Sequence, residues 1–262
     1  TLSIEAINAL PAWEVVMRHY SRFVAVSAFL VFSRIGLSAG TEAPVVEWSR
    51  TFGGDDVEFG AAARETSDGG FVIGGATMSY GAGYLDVYLF KTNADGNLVW
   101  SKTFGGPDTD TAAAVLPTED GGFIVAGATA SMGAGFHNAL LLKVDASGDA
   151  MWSRAFGGDG YDNADAMEPT NDGGYVLAGF TESFGAPGRN MYVVKTDAEG
   201  RESWSGVFGG EEEDAAAAVC QTADGRYIVA GYSRSPSTEE PRLFIVKTVA
   251  AGVEAWSRIY GD

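Results

Sequence analysis

The chain has one cysteine, two histidines and only 17 basic residues among its 262. A lone Cys220 excludes an intrachain disulfide and any multi-thiolate metal centre. It does not argue against secretion, because a large repeat domain is stable without covalent staples. With imidazoles only at His19 and His137, no histidine-spaced metal cluster can form, and a serine or cysteine nucleophile beyond residue 40 would have to recruit His137 alone. There is no Gly-x-Ser-x-Gly elbow and no phosphate-binding glycine loop. Acidic residues number 35, for a net charge of −18, so the molecule's own field repels phosphate backbones and anionic headgroups. Nucleic acid is therefore not an expected partner, whereas cations and neutral ligands are. Long apolar runs are also missing: the stretch 23–32 is too short to cross a bilayer.

What the sequence does have is a refrain. Trp48-Ser-Arg-Thr-Phe-Gly-Gly54 returns from Trp100, Trp152 and Trp204, and in the form Trp256-Ser-Arg-Ile-Tyr-Gly-Asp262, with successive tryptophans 52 residues apart. A fixed period of this length marks a supersecondary unit that cannot bury its apolar face alone and stacks on copies of itself. Within one period, short apolar runs alternate with turn chemistry. Residues 110–116 carry Ala112, Ala113 and Ala114; a turn Thr118-Glu-Asp-Gly-Gly122 follows, then the runs 123–129 and 139–144, a turn Asp145-Ala-Ser-Gly148, and a last run through Trp152 to Phe156. Four strands per period predict the blade of a β-propeller. Small residues suit a crowded innermost strand, and the Trp and Phe of the refrain suit an outer one. Gly75, Gly127, Gly179 and Gly231 recur inside the second strand, where a missing side chain predicts close approach of a neighbouring sheet.

The expected fold class is thus all-β, a propeller of four visible four-stranded blades at about 59–104, 111–156, 163–208 and 215–260, with an extra N-terminal strand at 46–52. That strand poses a question of closure, since the fourth blade already has Trp256. Either more blades follow in a larger propeller of which this is a fragment, or four blades close with one strand to spare; the stop in mid-refrain favours the fragment. Ahead of the domain, residues 1–16 read as an upstream extension and 17–40 as a secretory signal peptide, with Arg18 and Arg22 before the apolar stretch and small residues near Ser38 to Gly40. The propeller is expected over 41–262.

The linked phrases Phe-Gly-Gly-x-x-x-Asp, Asp-Gly-Gly-Phe-Ile-Val-Ala-Gly-x-Thr-x-Ser and Leu-Leu-Lys-Val-Asp-x-x-Gly-x-x-x-Trp, between residues 104 and 152, resemble the β-propeller repeat of bacterial and archaeal secreted and cell-surface proteins. The resemblance implies an extracellular scaffold or binding surface with no settled activity. Lys143 to Trp152 is also similar to the repeat of quinoprotein propellers, which would imply a quinone with a metal and, often, a vicinal cysteine pair; here there is a single cysteine.

Recurrent acids precede each innermost strand. Glu58, Asp110, Asp162 and Asp214 would form a ring near one mouth of the axial channel, a set of hard oxygen ligands suited to Ca²⁺. The alternative is that they are turn residues capping strand ends. Lys91, Lys143, Lys195 and Lys247 share one register of the third strand, where they could pair with recurrent acids. The expected function is a non-catalytic binding or scaffold module at or outside the cell surface, with carbohydrate or protein as partner, no membrane span in the mature chain, no required cofactor, and Ca²⁺ as the candidate ion. A carbohydrate-active enzyme using rim carboxylates and a structural spacer are the alternatives.

Overall fold

A computed structural model describes residues 46–235 and 240–261. The leader segments at 1–16 and 17–40 lie outside the described residues. Contacts divide the chain into residues 1–47 and a second unit, 48–262, and all that follows concerns the second.

Among its described residues that unit contains sixteen strands and no helix long and apolar enough to cross a membrane. Blade 1 comprises β1 (Glu58–Glu65), β2 (Phe71–Thr77), β3 (Asp86–Thr92) and β4 (Leu98–Phe104). Blade 2 comprises β5 (Asp110–Pro117), β6 (Phe123–Thr129), β7 (Asn138–Val144) and β8 (Ala150–Phe156). Blade 3 comprises β9 (Asp162–Pro169), β10 (Tyr175–Thr181), β11 (Asn190–Thr196) and β12 (Glu202–Phe208). Blade 4 comprises β13 (Asp214–Gln221), β14 (Tyr227–Ser233), β15 (Arg242–Thr248) and β16 (Glu254–Tyr260). Each blade is an antiparallel meander in sequence order.

Hairpin chemistry sets these boundaries. In the turn after β5, Gly121 takes φ 79° and its amide bonds to Thr118 O at 3.0 Å, while the Asp120 carboxylate accepts from Gly122 N at 3.0 Å. In the turn after β7, Asp145 Oδ1 accepts from the amides of Ser147 and Asp149, both at 2.9 Å. The recurrent lysines are tied in at this end: Lys143 pairs with Asp120 and Lys195 with Asp172, both at 2.9 Å, and Lys91 with Asp68. In blade 4, Arg226 takes Asp224 instead, at 3.4 Å.

Successive blades pack face to face, with inner strands β1, β5, β9 and β13 meeting one another in turn. Their alanines permit that approach. Between blades 2 and 3, Ile124, Ala126, Ala139 and Leu141 meet Met167, Leu177 and Val194, all nearly inaccessible. Emptying such a site, as in Leu141→Ala, costs about 2 to 5 kcal/mol. Four of the refrain tryptophans, Trp48, Trp100, Trp152 and Trp204, are half-buried struts rather than core: Trp100 packs on Phe123 of the next blade at 5.7 Å and Trp204 on Tyr227 at 5.3 Å. Each also lies over a turn glycine of that blade, so that a Cβ at Gly148 would come within 2.9 Å of Trp100.

Two expectations are corrected. Residues 46–52 form no strand: Trp48 lies over Gly96 of blade 1 as Trp100 lies over Gly148 of blade 2, and at that place no described strand stands beside the segment to pair with it. Side chains hold the segment instead: Trp48 packs on Phe71 at 5.8 Å and Phe52 on Phe90 at 4.7 Å. The second-strand glycines, for their part, face their own sheet. A Cβ at Gly127 would sit 2.0 Å from Thr111 O, because β5 bulges between Ala112 and Ala114 and swings its backbone inward.

Candidate functional site

In every blade the β2–β3 type loop and the loop leading into the next blade emerge at the same end of the sheet. This rim carries the four acids of the expected ring. Each spends at least one oxygen within its own repeat, while Oδ1 of Asp162 and of Asp214 is buried without a hydrogen-bond partner. Asp110 Oδ2 accepts from Ser131 Oγ at 2.6 Å and from Gly106 N at 3.0 Å; Asp162 does the same with Ser183 at 2.6 Å and Gly158 at 2.8 Å; Asp214 with Ser235 at 3.1 Å and Gly210 at 2.7 Å. Glu58 takes Thr77 Oγ1 at 2.8 Å, and its hydrogen bonds to Ser79, Thr77 and Gly54 hold its carboxyl below the usual range against the opposing effect of desolvation. This explains why Phe-Gly-Gly-x-x-x-Asp and Thr-x-Ser travel together in the sequence. Among the described residues no group of three or more His, Cys, Asp or Glu side chains is placed to hold a metal ion. The structure does not bring Glu58, Asp110, Asp162 and Asp214 together.

The same acids stitch neighbouring blades through their amides: Asp110 N donates to Leu85 O at 2.7 Å, Asp162 N to His137 O at 3.0 Å and Asp214 N to Arg189 O at 2.7 Å. At the first junction two nearly inaccessible carboxylates lie side by side, for a Cβ at Gly105 would be 2.2 Å from Asp86 Oδ1 and 2.6 Å from Asp110 Oδ2. At the next two junctions the residue in the place of Asp86 is an asparagine, Asn138 or Asn190.

What distinguishes blade 3 lies inside its innermost strand, where the repeat is broken. The bulge position of the innermost strand reads Ala61, Ala113, Asp165, Ala217, and two residues earlier the chain reads Phe59, Thr111, Asn163, Ala215. Blade 3 alone has a polar pair there, with Asn163 Nδ2 donating to Asp165 Oδ1 at 2.8 Å, while Asn163 Oδ1 is buried without a partner. Desolvation pushes the Asp165 carboxyl up to about 7, against the opposing pull of Arg189 and of the Asn163 hydrogen bond. Arg189 lies 4.0 Å over the Phe180 ring and pairs with Glu182 at 3.1 Å. Sequence reading by resemblance between repeats passed over these residues; reading down the repeat columns for the odd member would have found them.

Exposed aromatics complete the site. Among the described residues they fall in two places: Trp256 and Tyr260 on β16, and Tyr80, Tyr84, Phe136, Tyr161 and Phe184 on the rim. Phe136, 62% exposed, stacks on Tyr161, 42% exposed, with ring centroids 5.1 Å apart and planes 4° from parallel. His137 packs against Tyr161 at 5.2 Å, and burial lowers its pKa. A groove of about 570 Å³ lined by Asp55, Asp56, Ser79 and Tyr80 opens on the same rim over blade 1.

Four antiparallel meanders stacked through their innermost strands define an all-β protein of the propeller type. No protein-family model matches the chain, and no curated protein matches it. Among solved structures, the WD40 domain of Pan2 from Neurospora crassa aligns with a TM-score of 0.41 at 11% identity, over 76% of this chain. The chain spans 65% of the length of that domain.

Proposed function

We propose that this protein is a non-catalytic binding module, working at or outside the cell surface, that takes a neutral carbohydrate on its rim. The observation that carries the reading is the exposed Phe136–Tyr161 stack, its planes nearly parallel. The exposed part of such a stack, chiefly Phe136, offers an apolar surface to the C–H face of a sugar ring. The net charge of −18 favours a neutral ligand over an anionic one. A glycan array tests this with wild-type protein and the Phe136→Ala/Tyr161→Ala double variant. Binding by the wild type that drops at least about tenfold in the variant, with an unchanged melting temperature, supports it. Silence across the array supports the spacer reading instead.

One observation favours an enzyme. A carboxyl that keeps its proton to near pH 7, as Asp165 does, is what general-acid chemistry requires. Hydrolysis of a polysaccharide panel that disappears in Asp165→Asn would establish this second reading.

A further inference from the structure

Blade 4 turns one bare face to solvent, and its residues have counterparts that the other blades bury. Leu243 is 49% exposed, whereas Val87, Ala139 and Met191 at the same place are 0%, 1% and 0% exposed. Ile228, Ala230 and Ile245 continue the face, and Trp256 (40%) and Tyr260 (45%) edge it. In blades 1 to 3 what covers this face is always the same thing, the opposite face of another copy of the repeat. In blade 1 that opposite face is the one not covered by a whole blade. Gly60 and Ala63 on its inner half are exposed; Phe71 and Phe90 on its outer half are covered by Trp48 and Phe52 of a segment that no strand ladder holds.

We infer that a second copy of this chain seats its blade 4 on blade 1, head to tail, with its Trp256 and Tyr260 taking the places of Trp48 and Phe52. The two segments are chemically interchangeable: Trp48-Ser-Arg-Thr-Phe-Gly and Trp256-Ser-Arg-Ile-Tyr-Gly differ at one aromatic and one aliphatic or hydroxyl position. The junction continues an interface the chain already makes three times. It is heterologous, each copy giving a different face, so it closes into a ring or extends as a chain of copies. Because each copy carries a charge of −18, repulsion opposes the contact and added salt strengthens it.

Sedimentation of the full chain across a concentration series tests this. Association is expected, tightening with salt, and weakening about thirtyfold or more in Leu243→Asp and in Trp256→Ala, two exposed positions whose change leaves the monomer's melting intact. Ala63→Asp on the opposite face should have the same effect, and Trp48→Ala, which empties the seat, should tighten association. Mixing the Leu243→Asp and Ala63→Asp proteins should restore a heterodimer, since one intact face of each kind remains. A chain that stays monomeric at about 100 μM in high salt, well above ordinary specific affinities, overturns the inference. So does association that ignores Leu243→Asp, or that the mixture fails to restore.

Discussion

Asp165→Ala should make the protein more stable, by a margin that grows as pH rises from about 4 and is complete above about pH 7. The substitution installs the residue that Ala61, Ala113 and Ala217 supply at the same bulge, so the backbone already accepts it. The Asp165 pKa is raised from 3.8 to about 7, so between those values the folded state keeps a proton that the unfolded chain has lost. Stability therefore falls as pH climbs through that window, and the penalty is complete above about pH 7. Roughly 3 units correspond to about 4 kcal/mol if the group were sealed from solvent; the side chain is half-buried, and water access reduces this to about 2 kcal/mol. At pH 8 the variant should melt roughly 4 to 8 °C above wild type. At pH 4 the carboxyl is neutral in the folded state and only about half ionised in the unfolded chain, so little of the penalty has built up, and losing the Asn163 hydrogen bond leaves the variant level with wild type or below it by up to about 1 kcal/mol. Calorimetry of both proteins from pH 4 to 8 reads the difference. A gap that is constant across pH, or a variant less stable at pH 8, would refute the placement of this carboxyl in a desolvated site.

Four other outcomes are expected. Gly127→Ala puts a methyl 2.0 Å from Thr111 O, against backbone that cannot yield without breaking the β5–β6 ladder, so it should lower stability by more than about 3 kcal/mol in thermal melts. Asp86→Asn should raise stability by about 1 kcal/mol, because an amide at that place can keep the acceptor role toward Ala82 N and Gly83 N while donating toward Asp110. Ca²⁺ and chelator should give the same melting temperature, within about 1 °C, since a filled site would shift it by several degrees; Ser131→Ala should cost about 1 to 2 kcal/mol in either, by taking a donor from buried Asp110.

The number of strands, their order and the chemistry of the hairpins were legible in the sequence because they depend on neighbours in the chain. Thr118, Asp120 and Gly121 make their turn with one another, and the unbroken apolar run of β7 matches a strand buried on both faces, Leu141 on one side and Leu140 and Leu142 on the other. The site was less legible. Glu58, Asp110, Asp162 and Asp214 recur as a set, and recurrence suggested a shared ligand; their partners, Ser131 for Asp110 and Ser183 for Asp162, lie 21 residues on in the same repeat. A polar residue that recurs with the period is answering a need of the period. Asp165 and Arg189 break it, and that is where blade 3 acquires chemistry of its own.

The sequence by itself determined the repeat, the four meanders and the small-inside, large-outside grading of each blade, since these follow from side-chain volume and period. Only the tertiary structure decided what the ends of the array do. Whether residues 48–52 pair as a strand depends on a neighbouring strand at the place they occupy over blade 1, and whether Trp256 is covered depends on a partner face that its own sequence cannot specify. Ladder positions and face coverage are decided by which surfaces remain vacant once every blade has formed, and vacancy is a property of the assembled sheets rather than of any stretch of chain.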